Sequence, residues 1–297
     1  MAADKWEATL RQVAPAILVT GWRTPALSLA WLDEPGCPLR YVCHVTGSVR
    51  KLVPRSFLTR GGVVTNWGSL VCPQVAEHAL LLALSALRNQ GRWSTFIARP
   101  PGERRLAHLA TRSLHGRRVG VHGFGGVARA LLPLLQPFHT PISIFAEHVP
   151  DALITAAGGT PVGSLRELCT GNDVVFECEA LTPATTGVVS AAILAALPDG
   201  AVFVNVGRGA LVDEAALTRE AESGRIRVAV DVVHEEPITP ATCLTQIPDA
   251  VVSPHIGGPT LDRYADCGAL AVRNLHRYLA GEPLEAVVTA EIFDRAT

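Results

Sequence analysis

The chain has 297 residues, which is enough for two domains of ordinary size. Its 48% hydrophobic content supports a large core, and its formal net charge of −1 leaves no basic excess to hold a nucleic acid. The opening residues, MAADKWEATL, lack the apolar core of a signal peptide, and the longest apolar run, Ala79–Leu84, is far shorter than the ~20 residues of a membrane span. We therefore expect neither nucleic acid nor membrane as a partner.

The seven cysteines are irregularly spaced and include no C-x-x-C pair. An odd, scattered set is typical of reduced, buried thiols, whereas disulfide frameworks and zinc sites use paired spacings. We therefore expect a cytoplasmic protein without a metal site.

The first ninety residues predict a short series of strands and helices. A helix-like segment, KWEATLRQV, precedes three β-type runs at Ala16–Thr20, Tyr41–Val45 and Val63–Thr65. Pro73 then opens a long helical pattern that continues to about Arg88. The arginine-rich segment after this helix contains Pro-Pro-Gly, which favours a linker or a surface loop.

A second series of alternating elements begins near residue 117. Strands are predicted in RRVGVHG, ISIF, DVVFE, AVFVNV, RVAVDVV and AVVSPH, and helices in GVARALLPLLQ, SAAILAAL and DEAALTREAESG. A last helix is predicted at about Leu261–Leu279. Apolar strands that alternate with helices are typical of parallel sheets covered on both faces, so the predicted fold class is α/β.

A glycine-rich loop follows the strand RRVGV and opens a helix. Gly123, Gly125 and Ala128 form the pattern G-x-G-x-x-A. The first glycine permits a tight turn, the second lets a pyrophosphate approach the backbone, and the alanine lets helix and strand pack closely. A close helix–strand crossing alone would also explain the pattern, but its position between a strand and a helix favours a dinucleotide site.

The strand after this loop is expected to end in an acid that holds the ribose hydroxyls. It reads ISIFAEHV, and the expected position, about 20 residues after the loop, is Ala146, with Glu147 next to it. We choose Glu147. Because no arginine follows that would hold a 2′-phosphate, we expect NAD, with NADP less favoured.

Arg208 stands at the end of the buried run AVFVNV, between Gly207 and Gly209. A buried arginine is unfavourable unless an anion meets it, and that anion belongs either to the protein, with Asp213 as a candidate, or to a ligand. If it belongs to a ligand, we expect the flanking glycines to leave room for the substrate and the cofactor.

Two other predicted strands also end in polar residues. Asp231 ends RVAV and is followed by Glu236, and His255 follows AVVS. In an open α/β sheet, ligands bind outside the carboxyl ends of the strands, so these side chains would meet at one edge. Each has an ordinary structural explanation, such as a solvated turn acid for Glu236 or a core histidine for His255. Their common edge favours an active site.

The ordered segments GVHGFGGVA, NVGRGALVDEAAL, VAVDVVHEEP and SPHIGGPT, with the helix VAEHALLLALSALR before them, resemble the signatures of the D-isomer-specific 2-hydroxyacid dehydrogenases. The resemblance runs from about Val63 to Leu279. It implies two Rossmann-like domains with parallel sheets, the nucleotide-binding domain being inserted into a discontinuous, flavodoxin-like substrate domain, and usually a homodimer. We expect the substrate domain at residues 1–90 and 261–297, with a shortened N-terminal part, and the NAD-binding domain at 91–260.

The resemblance also implies roles for individual residues. Arg208 would bind the substrate carboxylate, His255 would be the general acid/base, and Glu236 would pair with it. Substrate contacts are further expected from the turn Thr46, Gly47 and Ser48 and, because two cations follow this turn, from Arg50. The cofactor-binding residues expected from the glycine loop, from the strand that follows it and from the resemblance are Gly123, Phe124, Gly125, Gly126, Val127, Glu147, Thr182, Thr186, Val206, Gly207, Asp231 and Gly257.

The resulting hypothesis is an NAD-dependent enzyme that transfers a hydride between the cofactor and C2 of a small 2-hydroxy or 2-oxo acid. An NAD-sensing binding protein or corepressor on the same fold would keep the same residues and stays an alternative. A methyltransferase that uses the glycine loop for a methyl donor is a weaker alternative, because it would not need the arginine, acid and histidine.

Overall fold

The computed structural model describes residues 3–295, which divide into two compact units. The first unit consists of the residues up to Val71 together with those from Thr260 onward, and the second unit is Cys72–Pro259. The second unit is thus inserted into the first along the chain.

The first unit begins with alternating helices and strands. In chain order these are α1 (Ala3–Val13), β1 (Ile17–Thr20), α2 (Leu29–Leu32), β2 (Tyr41–His44), α3 (Arg55–Thr59) and β3 (Val63–Thr65). The strands form a parallel sheet in the order β1-β2-β3, so the fully buried β2 lies in the middle.

The second unit has a longer series of elements. They are α4 (Cys72–Leu87), α5 (Trp93–Ala98), β4 (Val119–His122), α6 (Gly126–Leu135), β5 (Ile142–Phe145), α7 (Asp151–Ala156), β6 (Thr160–Pro161), α8 (Leu165–Gly171), β7 (Val174–Glu177), α9 (Ala191–Leu194), β8 (Val202–Asn205), α10 (Glu214–Glu222), β9 (Arg227–Val230) and β10 (Val251–Val252). Short 3₁₀ helices lie at Gln90–Arg92, Pro101–Glu103, Leu106–Leu109, Gln136–Phe138, Gly209–Leu211 and Cys243–Gln246.

The second unit's seven strands form one parallel sheet in the order β10-β9-β8-β7-β4-β5-β6. The buried side chains of α4 and α6 form a core with one set of strand residues, and those of α8 and α10 form a second core with another set. The order reverses at β4, and such reversals are where open α/β sheets bind ligands.

The first unit is completed by the 3₁₀ turn Leu261–Arg263, α11 (Tyr264–Ala280) and α12 (Ala290–Arg295). Ala271 of α11 packs with Tyr41 and Cys43 of β2, whereas Phe293 of α12 joins a separate core with Val42 and Val64. Alternate residues of β2 therefore bury against different cores, which explains why this strand is apolar throughout.

The predicted α/β class with parallel sheets is confirmed, and the short elements α7, β6 and α8 are additions that the sequence patterns did not single out. The domain boundary differs from the predicted one. The sequence prediction places residues 72–90 in the first domain, but α4 buries Ala76, Ala79 and Leu82 in a core that it shares with α6. This packing makes α4 part of the second unit, and the boundary lies at Val71.

Between residues 3 and 295, no helix has both the length and the apolar character needed to cross a membrane. A search of the same residues finds no group of three or more His, Cys, Asp or Glu side chains placed to hold a metal ion.

Candidate active site

The glycine loop joins β4 to α6 at the sheet's reversal point. Gly123 has φ +91, which favours glycine, and its N–H donates to the carbonyl of Phe145 at the end of β5 (2.8 Å). Ala128 is fully buried against the strands, as the motif requires. Gly125 and Gly126 at the start of the helix are exposed, so its N-terminal N–H groups face outward.

The absence of a side chain has a different explanation at Gly123 and at Gly125. A Cβ at Gly123 would lie 2.9 Å from the backbone of Glu179, so this glycine is required by the fold itself. A Cβ at Gly125 would meet no atom within 4 Å, and Gly125 has an ordinary extended backbone (φ −78, ψ −164). Nothing in the protein requires a glycine at 125, and the open space beside it fits the pyrophosphate of a dinucleotide.

The remaining residues predicted to touch the cofactor lie at the same edge of the sheet. Phe124 is buried with its ring under the Arg129 guanidinium (4.8 Å). Thr182 and Thr186 belong to one turn after β7, in which the Thr186 hydroxyl donates to the Thr182 carbonyl (2.9 Å). Half-buried Val127 and buried Val206, Gly207 and Gly257 lie in segments that follow strands of this sheet.

Glu147 lies exposed two residues beyond the end of β5, next to the loop. Its charge acts on the buried His122, the residue before Gly123. Nδ1 of His122 is 2.6 Å from Oε2 of the fully buried Glu177. Burial opposes a charge on His122, but the carboxylates of Glu177, Glu179 and Glu147 together outweigh this effect and raise the pKa of the histidine. The sequence patterns did not reveal this pair, because its members lie on strands 55 residues apart.

Arg208 follows β8 and is half-buried. Its Nη1 donates to the carbonyl of Gly207 (2.6 Å). Burial lowers the pKa of Arg208, while the nearby Glu236 carboxylate acts in the opposite direction. The Asp213 side chain accepts from the N–H of Ala216 and caps α10.

The structure explains the glycines on either side of Arg208 differently from the sequence prediction. A Cβ at Gly209 would lie 2.0 Å from the backbone of Val233, and one at Gly207 would lie 2.9 Å from the side chain of Leu211 and 3.1 Å from the carbonyl oxygen of Glu179. Gly207 and Gly209 therefore allow close packing within the protein. They do not leave room for substrate and cofactor, as had been expected from the sequence.

Asp231, after β9, is the centre of a buried polar network. Its carboxylate accepts from the N–H groups of Ile256 (2.9 Å) and Gly257 (2.8 Å) and from the Ser253 hydroxyl (2.6 Å). Nε2 of His78 on α4 lies 2.8 Å from the same hydroxyl, which accepts because its own proton goes to Asp231. The same His78 nitrogen also lies 3.3 Å from Oδ1 of Asp231. Burial alone would raise the pKa of Asp231, but the interaction with His78 and the hydrogen bonds from Ser253, Ile256 and Gly257 lower it to about 2.

His255 and Glu236 come together as predicted. Nδ1 of His255 is 2.7 Å from Oε2 of Glu236, and because a carboxylate accepts, Nδ1–H is the donor. The side chains are 45% and 34% exposed, which leaves the other ring nitrogen accessible. His255 has φ +55, an uncommon conformation for a non-glycine residue, and its N–H donates to the Asp231 carbonyl (2.9 Å). The Asp231 network thus fixes the backbone that presents His255.

In the first unit, the predicted substrate turn follows β2. The Thr46 carbonyl accepts from the N–H of Trp67 (3.2 Å), and the Gly47 carbonyl accepts from the Asn66 side chain (2.7 Å). Within the part of the chain that the structure describes, the N–H groups of Gly47, Ser48 and the following valine have no protein acceptor. Consecutive N–H groups of this kind suit an anion.

A buried histidine anchors the start of this turn. Nδ1 of His44 lies 2.8 Å from the Thr20 hydroxyl, and Nε2 lies 2.5 Å from the Thr46 hydroxyl. Burial lowers the pKa of His44 to about 4, so the neutral ring links the two threonines.

Arg50, predicted to contact substrate, is half-buried two residues beyond the turn. Its guanidinium lies 5.9 Å from the centroid of the Phe293 ring on α12, and its charge also acts on the neighbouring Asp294. This placement gives Arg50 partners within its own unit.

A family model described as the NAD binding domain of the D-isomer specific 2-hydroxyacid dehydrogenases matches residues 80–257. The match covers more than half of the chain, and the chain belongs to this family. The family comprises NAD-linked oxidoreductases that act on 2-hydroxy and 2-oxo acids. The resemblance found in the motifs, and an enzyme class of this kind, are thereby confirmed.

Three relatives illustrate the range of the family. A hydroxyphenylpyruvate reductase from Plectranthus scutellarioides is 30% identical over 226 residues, which span 76% of this chain and 70% of that protein. A D-3-phosphoglycerate dehydrogenase from Methanocaldococcus jannaschii is 28% identical over 230 residues, which span 77% of this chain but 43% of that protein. The structure of an NADPH-dependent glyoxylate/hydroxypyruvate reductase from Sinorhizobium meliloti aligns with a TM-score of 0.77 and 25% identity, covering 98% of this chain and 88% of that one.

Proposed function

We propose that this protein transfers a hydride between NAD(H) and C2 of a small 2-hydroxy or 2-oxo acid. The observation that carries the proposal is the hydrogen-bonded His255–Glu236 pair at the sheet edge that also holds Arg208 and the glycine loop. The proposal assigns NAD binding, Arg208 and the His255–Glu236 pair to the second unit, and a further substrate contact to the first.

Arg208 is proposed to bind the substrate. Its planar guanidinium can bind a carboxylate through two parallel hydrogen bonds, which a lysine cannot do. Burial lowers its pKa, which means that the charged form is held at a free-energy cost that an anionic substrate would offset. Within the first unit, the turn Thr46–Ser48 is proposed as a substrate contact, because its backbone N–H groups suit a carboxylate.

His255 is proposed as the general acid in reduction and the general base in oxidation. With Nδ1–H donated to Glu236, the other nitrogen is the one that gives a proton to the substrate oxygen or takes it back. Glu236 fixes the tautomer and the orientation of the ring through this hydrogen bond.

The cofactor-binding residues fit a dinucleotide, because Gly125 leaves open space at the N-terminus of α6 and the N–H groups there suit a pyrophosphate. Bound NAD(H) supplies the hydride chemistry. Asp231 is proposed to line the nicotinamide position, while its network with Ser253 and His78 holds the backbone of Ile256 and Gly257 in place.

The test is a panel of 2-oxo acids with NADH and NADPH, followed by the loss of reduced-cofactor absorbance. Glyoxylate, pyruvate, hydroxypyruvate, phenylpyruvate and a phosphonate-bearing analogue vary the size and charge of the substituent on C2. Turnover of any member supports the proposal. Cofactor binding without turnover of any acid would contradict it and would point to a binding protein on the same fold.

We propose NAD rather than NADP as the preferred cofactor, with Glu147 as the acceptor for the ribose hydroxyls. Its exposed carboxylate lies beyond β5, next to the strand that enters the glycine loop, and its charge reaches the His122 beside Gly123. A carboxylate there accepts from hydroxyls but repels a 2′-phosphate. The relative from Sinorhizobium meliloti is named as NADPH-dependent, so both cofactors occur among the proteins that resemble this chain.

Replacing Glu147 with Ala should weaken NADH binding more than NADPH binding, because the ribose hydroxyls lose an acceptor while a phosphate loses a repelling charge. Titration of both reduced cofactors measures the two dissociation constants. The matched control is Asp151→Asn, which removes an exposed charge from the first turn of α7 and should change neither. Equal losses for both cofactors in Glu147→Ala would refute the assignment.

We also propose a cytoplasmic homodimer. The seven cysteines are all unpaired, as in reducing compartments. Exposed Trp93, Ile97 and Leu106 lie on or beside α5, around an apolar cavity of about 240 Å³ lined by Trp93, Phe96, Ile97 and Leu109. Clustered apolar side chains of this kind mark association surfaces. Light scattering on the purified protein measures its mass, and a monomer at micromolar concentration would contradict the dimer.

A further inference from the structure

Two tryptophans stand beside the turn Thr46–Ser48 in the first unit. Trp22 follows β1 and Trp67 follows β3, so the two side chains come from the ends of the strands that flank β2. Their ring centroids are 5.4 Å apart with an interplanar angle of 75°, which is an edge-to-face pair. The parallel sheet therefore brings two indoles and an anion-binding turn to one edge.

The indole of Trp67 is fixed against this turn. Its backbone N–H donates to the Thr46 carbonyl, and the adjacent Asn66 side chain donates to the Gly47 carbonyl. A Cβ at Gly47 would lie 2.6 Å from the Trp67 ring, so a larger residue there would displace the indole. The absence of a side chain at Gly47 thus allows the Trp67 indole to pack directly against the turn.

Trp22 presents most of its side chain to solvent. It is 63% exposed, although it packs edge-on against Trp67 and also meets the His44 ring (6.5 Å between centroids). Its backbone lies in a turn in which the Gly21 N–H donates to the Thr24 hydroxyl (3.0 Å) and the Thr24 N–H donates back to the Gly21 carbonyl (3.1 Å). The fixed backbone and the contact with the Trp67 ring restrict the indole, which lowers the entropy it loses when it covers a ligand.

We propose that Trp22 and Trp67 form the subsite for the part of the substrate beyond C2 and select a 2-oxo acid with an aromatic side chain. This inference rests on the proposed function, because it takes Thr46–Ser48 as the turn that binds the carboxylate. An acid held by that turn has its C3 atom only two bonds from the carboxylate carbon, within reach of the indoles that adjoin the turn. A hydrogen or methyl group leaves the Trp22 face in water, whereas a ring covers it and gains an aromatic contact.

The test measures kcat/KM for phenylpyruvate, pyruvate and glyoxylate with the wild type and with Trp22→Ala, Trp22→Phe and Leu29→Ala. The wild type should prefer phenylpyruvate. Trp22→Ala should lose about 10-fold on phenylpyruvate, the equivalent of one aromatic contact, with little change on pyruvate. Trp22→Phe should restore most of the loss. Leu29→Ala, which removes another exposed apolar side chain of the same unit, should behave as the wild type.

A wild-type preference for pyruvate or glyoxylate, or an equal loss on all three acids in Trp22→Ala, would overturn the inference. Quenching of tryptophan fluorescence by the same acids, with NADH bound, supplies a readout that does not need turnover. If phenylpyruvate binds more tightly than pyruvate, and Trp22→Ala removes the difference, the subsite stands even when no acid is reduced. In that outcome only the proposed function fails.

Discussion

His255→Asn is expected to lower kcat by roughly 10²- to 10⁴-fold on the best 2-oxo acid, the usual contribution of a positioned general acid–base group. Asn is the appropriate replacement because His255 has φ +55, a conformation that Asn adopts more readily than Ala. The backbone hydrogen bond to Asp231 is then retained, and the loss reports proton transfer rather than loop geometry. Steady-state kinetics with saturating cofactor measures the effect.

The control for this substitution is His234→Asn, an exposed histidine in the loop after β9 that should retain normal kcat. The NADH dissociation constant and the melting temperature of His255→Asn should match the wild type, because His255 serves the substrate and not the nucleotide. A near-normal kcat in His255→Asn would remove the residue from the mechanism.

Gly125→Val is expected to abolish measurable NADH binding while the protein stays folded. The open space beside Gly125 and its extended backbone allow a valine within the protein, but the side chain would fill the position where the pyrophosphate must approach. Calorimetric titration with NADH measures the loss, and a thermal melt checks the fold. Loss of a favourable N-cap glycine should cost on the order of 1 kcal/mol of stability.

Gly171→Val is the matched control, because Gly171 is also exposed with open space around it and ends α8 away from the glycine loop. It should bind NADH as the wild type does. Gly123→Val, in contrast, should destabilise the protein, since a Cβ there meets the Glu179 backbone and φ is +91. NADH affinity that survives Gly125→Val would mean that the dinucleotide does not lie on this loop.

Much of the fold and of the candidate site could be predicted from local patterns. Apolar runs alternating with helices indicated parallel sheets, and the carboxyl ends of parallel strands share one edge. That rule was enough to bring together Arg208, Asp231 and His255 without knowledge of the strand order. Glu236 could be added because it follows Asp231 by only five residues, within one loop.

The parts that could not be predicted depend on contacts between distant segments. His78 is 175 residues from Ser253 in the chain, and a helical pattern does not tell which strand end a helix will meet. In the sequence, Gly209 predicts open space for a ligand beside Arg208. In the structure, the backbone of Val233 occupies that space. Neither Trp22 nor Trp67 belongs to a sequence motif that indicates a site. The order of the three strands is what makes them neighbours.

The most direct test of hydride transfer is the fate of an isotope. The protein is incubated with a 2-oxo acid and NADH that carries deuterium at both C4 positions of the nicotinamide, and the products are examined by mass spectrometry and NMR. The account predicts a 2-hydroxy acid with one deuterium at C2. A hydroxy acid without deuterium, or no hydroxy acid from any member of the panel, would contradict it.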